Sequence, residues 1–185
     1  EDEYKSNIKT SLLQQGLMKS FEGDDPSDED VLSYAQTYIS SYDGAKRSSH
    51  ILFDADDAET AQSVLDQINA GTLDFAEAAK TYSKDSPGQN GGDVGWDKLN
   101  SFVSEYTAGL ADLSKGQVSG LVTSSYGIHI IKCTDEFHAP DELTSLDQLP
   151  SEFVERFKSS LKSSNQSKAY QQWLSDAKEN ADIEI

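Results

Sequence analysis

Residues 124–133 run Ser124-Ser125-Tyr126-Gly127-Ile128-His129-Ile130-Ile131-Lys132-Cys133. Small polar residues lead through a glycine into an apolar run with one histidine inside it. Short apolar runs bounded by turn residues read as strands. The pattern predicts two strands, Val118–Thr123 and Tyr126–Cys133, joined by a tight turn at Ser124-Ser125. Strand side chains alternate between faces, so His129 shares a face with Ile131. A second histidine has the same setting in Ser49-His50-Ile51-Leu52-Phe53, where Ser48–Phe53 reads as a strand. Alternation puts His50 with Leu52 on one face and Ile51 with Phe53 on the other. The two histidines are therefore candidates to meet across one sheet.

The residues between these strands alternate in type. Asp57–Ala70 has a helical face of Ala61, Val64, Leu65 and Ile68, with Gly71 to end it. Leu73–Tyr82 predicts a second helix and Phe102–Leu113 a third, closed by Gly116. Ser83–Asp93 holds the turn dipeptides Pro87-Gly88 and Asn90-Gly91 and reads as a loop, followed by a short strand at Val94–Trp96. Strands and helices of these lengths imply an α+β domain built on a small antiparallel sheet.

Both flanks read as helical. Residues 1–46 predict two helices. The first carries Tyr4, Ile8, Leu12 and Leu13 and is weakened at Gly16. The second opens on a capping box, Ser27 with Asp30, and carries Val31, Leu32, Ala35, Tyr38, Ile39 and Tyr42 on one face. Residues 136–185 open with an acidic linker, and Pro150 then suits the first turn of a long helix reaching about residue 179. Phe153, Phe157, Leu161, Tyr170 and Trp173 lie along it, and Ala181–Ile185 alternates like a short strand. Helices this short need a partner to bury their apolar faces, and the C-terminal helix offers one to the N-terminal pair.

The 185 residues include 15 Lys+Arg and 33 Asp+Glu, a formal charge of −18. That excess disfavours non-specific binding to nucleic acid or anionic lipid, which needs clustered cations. No apolar run approaches the roughly eighteen residues of a spanning helix. The single cysteine, Cys133, cannot form an internal disulfide and reads as a buried strand residue. The chain starts Glu1-Asp2-Glu3, with no initiator methionine or leader, so the expectation is a removed leader or an excised fragment.

Other chemistries fit the residues poorly. Gly88–Gly95 lacks the Lys-Ser/Thr of a phosphate loop, and Asp93 would repel phosphate. Asp54–Glu59 lacks the ligand pattern of a calcium loop and reads as a solvated helix start. A zinc site would have only His138 to add to the two strand histidines, and no GxSxG supports a serine hydrolase. Taken alone, His50 and His129 read as two satisfied core histidines, and the residue types do not decide the function.

The motifs in order do carry a resemblance. Ser49-His50-Ile51-Leu52, Phe75-x-x-x-Ala79-x-x-x-Ser83, Gly91-Gly92-Asp93-Val94-Gly95, Gly116-Gln117-Val118-Ser119 and Tyr126–Ile131 together resemble a parvulin-type peptidyl-prolyl isomerase domain over about residues 47–135. The flanks resemble those of extracytoplasmic foldases of the PrsA/SurA type. The resemblance implies a parvulin domain, a four-stranded antiparallel sheet with surrounding helices. Segments 1–46 and 136–185 would then form part of an all-helical, chaperone-like module. It implies catalytic roles for His50, Asp85 and His129, a proline pocket at Val94, Phe102 and Tyr106, and a supporting hydroxyl at Ser124. It implies no cofactor and no metal. The expected partners are unfolded, proline-containing polypeptides, basic ones included, and the helical flanks are candidates for a homodimer contact. Phospho-specific members carry a basic cluster after the first strand. Here that loop is Asp54-Ala55-Asp56-Asp57, so phosphoserine recognition is not expected. The expected location is extracytoplasmic, secreted or held by an upstream lipoprotein-like anchor outside this chain. The alternative expectation is a holdase whose isomerase activity is weak or incidental.

Overall fold

The computed structural model describes residues 2–21, 23 and 25–180. The expected strand at residues 181–185 lies outside them. The chain divides into two compact units, one of Ile39–Ala139 and one of Glu1–Tyr38 with Pro140–Ile185.

The first unit contains β1 (Lys46–Phe53), α3 (Ala58–Asn69), α4 (Phe75–Tyr82), β2 (Asp93–Asp97), α5 (Ser104–Ala111), β3 (Val122–Ser124) and β4 (Gly127–Glu136). The second contains α1 (Asp2–Ser20), α2 (Asp28–Tyr38) and α6 (Ser151–Glu179). The four strands form one antiparallel sheet in the order β2-β1-β4-β3. Ile51 faces Ile130 and Phe53 faces Ile128 across β1 and β4. This face is buried against Ala61, Val64 and Leu65 of α3 and Phe75 and Ala78 of α4. The opposite face carries Ile131 and Cys133 with Tyr106 and Leu110 of α5. One sheet therefore separates two apolar clusters, as period-two alternation requires. Cys133 is fully buried, and burial pushes its thiol up, away from the reactive thiolate.

Several boundaries differ from the expected ones. The strand expected over Val118–Thr123 is only Val122–Ser124; Val118 makes an isolated bridge to Lys132. The turn falls at Ser125 and Tyr126 rather than Ser124-Ser125. There Gly127 has φ +135 and packs so closely on the Phe53 carbonyl that no Cβ fits. The helix expected over Phe102–Leu113 begins at Ser104 and ends at Ala111, and Gly116 does not close it. Gly116 instead donates its N–H to the Cys133 carbonyl. Leu73 and Asp74 precede α4, where the Asp74 carboxylate accepts the Ala76 and Glu77 amides and starts the helix.

In the second unit, α1 runs through Gly16 to Ser20, and α6 runs unbroken through its serine-rich middle. The Ser27 hydroxyl accepts the Asp30 amide and donates to its carboxylate, closing the expected start of α2. Val31 and Ala35 of α2 and Phe153 and Phe157 of α6 are buried, and α2 packs on α6. Phe21 rests on Tyr170 and Trp173, with ring centroids 5.8 and 5.7 Å apart. No helix among the described residues is long and apolar enough to cross a membrane.

Candidate active site

The site lies on the sheet face that carries α5. His50 faces Ile131 and Leu52 faces His129, so the histidines are diagonal neighbours on one face. Their Nδ1 atoms are 3.2 Å apart. His50 Nε2 lies 2.6 Å from Asp85 Oδ2, and His129 Nε2 lies 2.7 Å from Ser124 Oγ. A carboxylate only accepts, so His50 Nε2 carries a proton. With that ring neutral, its Nδ1 accepts from His129 Nδ1–H. His129 Nε2 then accepts the Ser124 hydroxyl, whose oxygen takes the Tyr126 amide at 3.1 Å. Each group in this chain has a donor or acceptor matched to its neighbour. Burial first, and second the repulsion from His50 whenever that ring is protonated, lower the pKa of His129 and favour its neutral form.

Tyr106 lies beneath the pair. Its ring meets both imidazoles edge-on, at 5.4 Å from His50 and 5.6 Å from His129. Its hydroxyl pairs with Ser48 at 3.0 Å, and burial pushes its phenol up so that it stays protonated. Phe102 stacks at a tilt on Tyr106, with centroids 4.6 Å apart. A cavity of about 320 Å³ opens here, lined by His50, Asp85, Phe102, Tyr106 and His129 together with Leu52, Ser101, Val103 and Tyr126. It has an aromatic floor and one polar wall, the form of a site for an apolar ring beside a polar group.

The motifs explain how the chain builds this. Gly92 has φ +81 and lies against the His50 backbone, taking the His50 amide at 2.9 Å, where a Cβ would collide with the His50 carbonyl. Asp93 receives Arg47 on both oxygens, at 3.2 and 2.6 Å, which lowers its carboxyl pKa and ties β2 to β1. Buried Asp97 accepts the amides of Asn100 and Ser101, shaping the loop that delivers Ser101–Val103 to the cavity. Leu99 at φ 60 holds that loop in a left-handed turn.

Of the seven residues expected at the site, His50, Asp85, Phe102, Tyr106 and His129 line the cavity, and Ser124 bonds His129. Val94 does not line it. It packs instead against the cluster of Tyr106, Leu110, Ile131 and Cys133. Val94 is the unpaired residue at the bulge of β2, between Gly95 opposite Ser48 and Asp93 opposite Ser49. Leu52, Ser101, Val103 and Tyr126 of the lining, and Ser83 beside it, are not among the residues expected at the site. Alternation already put Leu52 beside His50, and Ser83 closed one of the quoted motifs. Among the described residues, no group of three or more metal-ligating side chains is gathered to hold an ion.

The family model "Rotamase: PPIC-type PPIASE domain" matches residues 50–135. Those residues contain every member of the hydrogen-bonded chain, from His50 through Asp85 and Ser124 to His129. Residues 50–135 belong to the PPIC-type prolyl isomerase family. The chain is also similar to longer proteins. The chain is 32% identical over 186 residues to the foldase protein PrsA of Bacillus subtilis, covering 100% of this chain and 58% of that protein. It is 36% identical over 138 residues to the foldase protein PrsA of a Geobacillus strain, covering 74% of this chain and 46% of the relative. The crystal structure of PrsA from Bacillus subtilis superposes with a TM-score of 0.54 at 30% identity, over 100% of this chain and 66% of that one. The chain thus spans about half the length of the curated relatives it matches.

Proposed function

We propose that this chain is a peptidyl-prolyl cis-trans isomerase that assists the folding of exported proteins. Residues 47–135 act as the isomerase domain, and segments 1–46 and 136–185 belong to a helical, chaperone-like module. The observation that carries this reading is the aromatic cavity set against the Ser124–His129–His50–Asp85 chain.

The reaction is rotation about an X–Pro amide, with a barrier of about 18–20 kcal/mol from amide resonance. No covalent intermediate is needed; the site must hold the twisted amide better than either planar form. Phe102 and Tyr106 provide an apolar seat for the proline ring. His50, Asp85 and His129 form the polar wall along which the preceding carbonyl swings, and Ser124 fixes the His129 tautomer. Twisting removes resonance, so charge withdraws from the carbonyl oxygen and gathers on nitrogen, and an ordered polar wall responds to that change without reorganising.

The loop after β1 favours unphosphorylated substrates. Asp54, Asp56 and Asp57 are acidic, and the neighbouring cation, Lys84, is paired to Asp54 at 3.1 Å. With a net charge of −18, basic stretches of unfolded clients are the favoured partners, and added salt weakens their attraction. The similarity to foldase protein PrsA supports a role in folding outside the cytoplasm.

A protease-coupled assay on a proline peptide tests the reading. Catalysis above background that falls in Phe102→Ala and Tyr106→Ala is expected; a rate equal to background sinks it. A second reading is a holdase with incidental isomerisation. It is favoured by the exposed Tyr4, Ile8, Leu12 and Leu13 on α1. Aggregation protection that survives in a Tyr106→Ala protein favours that reading.

A further inference from the structure

Strand β1 pairs with β2 only as far as Ser49, opposite Asp93. Beyond that point the same edge of β1 is served by other groups. The Gly92 carbonyl accepts the His50 amide, and the Leu52 carbonyl accepts the Lys84 amide, each at 2.9 Å. The Leu52 amide is met by a side chain, the Ser83 hydroxyl oxygen, at 2.9 Å. Ser83 stands at the C-terminus of α4 with ψ 135, which turns the chain out of the helix and toward β1. A strand amide needs an acceptor, and that need alone accounts for an oxygen here.

It does not account for the hydroxyl proton. Ser83 Oγ lies 2.6 Å from Asp85 Oδ1, while the other carboxylate oxygen receives His50 at 2.6 Å. Because the Ser83 oxygen already accepts the Leu52 amide, its own proton is directed at the carboxylate, in a charge-assisted bond. Gly88 restricts Ser83 further: a Cβ on Gly88 would meet the Ser83 Cβ at 2.6 Å, so the two pack without a gap. Ser124 plays the matching part at the far end. It accepts the Tyr126 amide at 3.1 Å and faces His129 Nε2 at 2.7 Å. Two serines thus close the chain, each accepting a backbone amide and donating inward.

We propose that Ser83 is a positioning residue for isomerisation, holding the Asp85 carboxylate against His50 and so fixing which nitrogens of His50 and His129 carry protons. The inference rests on reading this pocket as a prolyl isomerase site. Without the Ser83 hydroxyl, the Asp85 carboxylate rotates toward water and His50 loses the partner that holds its proton on Nε2.

The test combines kinetics with imidazole nitrogen NMR on the full chain. In Ser83→Ala, kcat/KM is expected to fall about tenfold, the scale of one hydrogen bond to a charged group. Ser83→Thr restores most of it. In an Asp85→Asn background, the further loss on Ser83→Ala shrinks below about twofold, because the two residues act as one unit. The ring-nitrogen signals of His50 and His129 move from one tautomer to a mixture in Ser83→Ala. An equal loss in both backgrounds, no loss in either, or unchanged ring signals overturns the proposal. If Ser83→Ala does not fold, Ser83→Cys keeps the bulk and weakens the donor, and the same cycle is run with it. Wild-type protein without isomerase activity defeats the functional reading instead, while the ring signals still test the positioning role.

Discussion

The hydroxyl of Tyr106 and the hydroxyl of Ser48 lie 3.0 Å apart, both buried, beneath the two histidines. Each is the other's partner in a place water does not reach. Tyr106→Phe leaves the Ser48 hydroxyl buried without it, which costs about 1–3 kcal/mol. Urea denaturation measures this. In Ser48→Ala/Tyr106→Phe the loss is smaller than the sum of the single losses, because neither hydroxyl is left behind.

The pH dependence of stability follows from His129. Its pKa in the fold lies below the ordinary 6.5, burial being the first cause. The unfolded chain therefore binds the proton more readily, so this contribution is full above 6.5 and is lost as pH falls from there through the folded pKa. Tm is expected to drop as pH is lowered below about 6.5, with a shallower slope in His129→Asn. Equal slopes in the two proteins contradict the assignment to this histidine.

Two glycines of one motif separate strain from collision. Gly92 and Gly95 both have positive φ, but only Gly92 lies against the backbone of His50. Gly95→Ala carries the backbone cost alone, about 1–2 kcal/mol. Gly92→Ala adds a clash that pushes His50 away from Gly92, so it loses more stability and, unlike Gly95→Ala, most of the catalytic rate. Thermal unfolding and the proline-peptide assay together distinguish the two.

Lys46 is a nearly buried cation with three partners. Its Nζ donates to the Ala111 and Leu113 carbonyls at 2.7 and 2.5 Å and lies 3.2 Å from Glu136. It closes the C-terminal end of α5, the helix that carries Tyr106, where a positive charge also suits the dipole. Lys46→Met keeps the apolar stem and removes these bonds. We expect a loss of about 1–3 kcal/mol by denaturant unfolding, with a reduced rate because α5 is no longer held at that end.

How far these features were legible differs from one to the next. Alternation in Ser49–Phe53 and Ile128–Ile131 separated the two faces of each strand and made the two histidines candidates to share one. The ordered glycine motifs pointed to the family because each glycine answers a local demand, as Gly92 does beside His50. Boundaries were less legible. α5 starts only at Ser104, after a loop whose Asn100 and Ser101 amides are held by the Asp97 carboxylate, a contact that local periodicity does not encode.

The period of each element, its polar and apolar faces, and the motif order that marks residues 50–135 were legible along the chain. Those are properties of neighbours along the chain. The diagonal register that brings His50 to His129, the place of Val94 outside the cavity lining and the second bond made by Ser83 came from the fold. The register is set by the pairing of β1 with β4, and the Ser83 bond by where β1 stops pairing with β2 and leaves the Leu52 amide to a side chain. Hydrogen-bond partners of that kind are fixed by the folded backbone, not by spacing along the sequence.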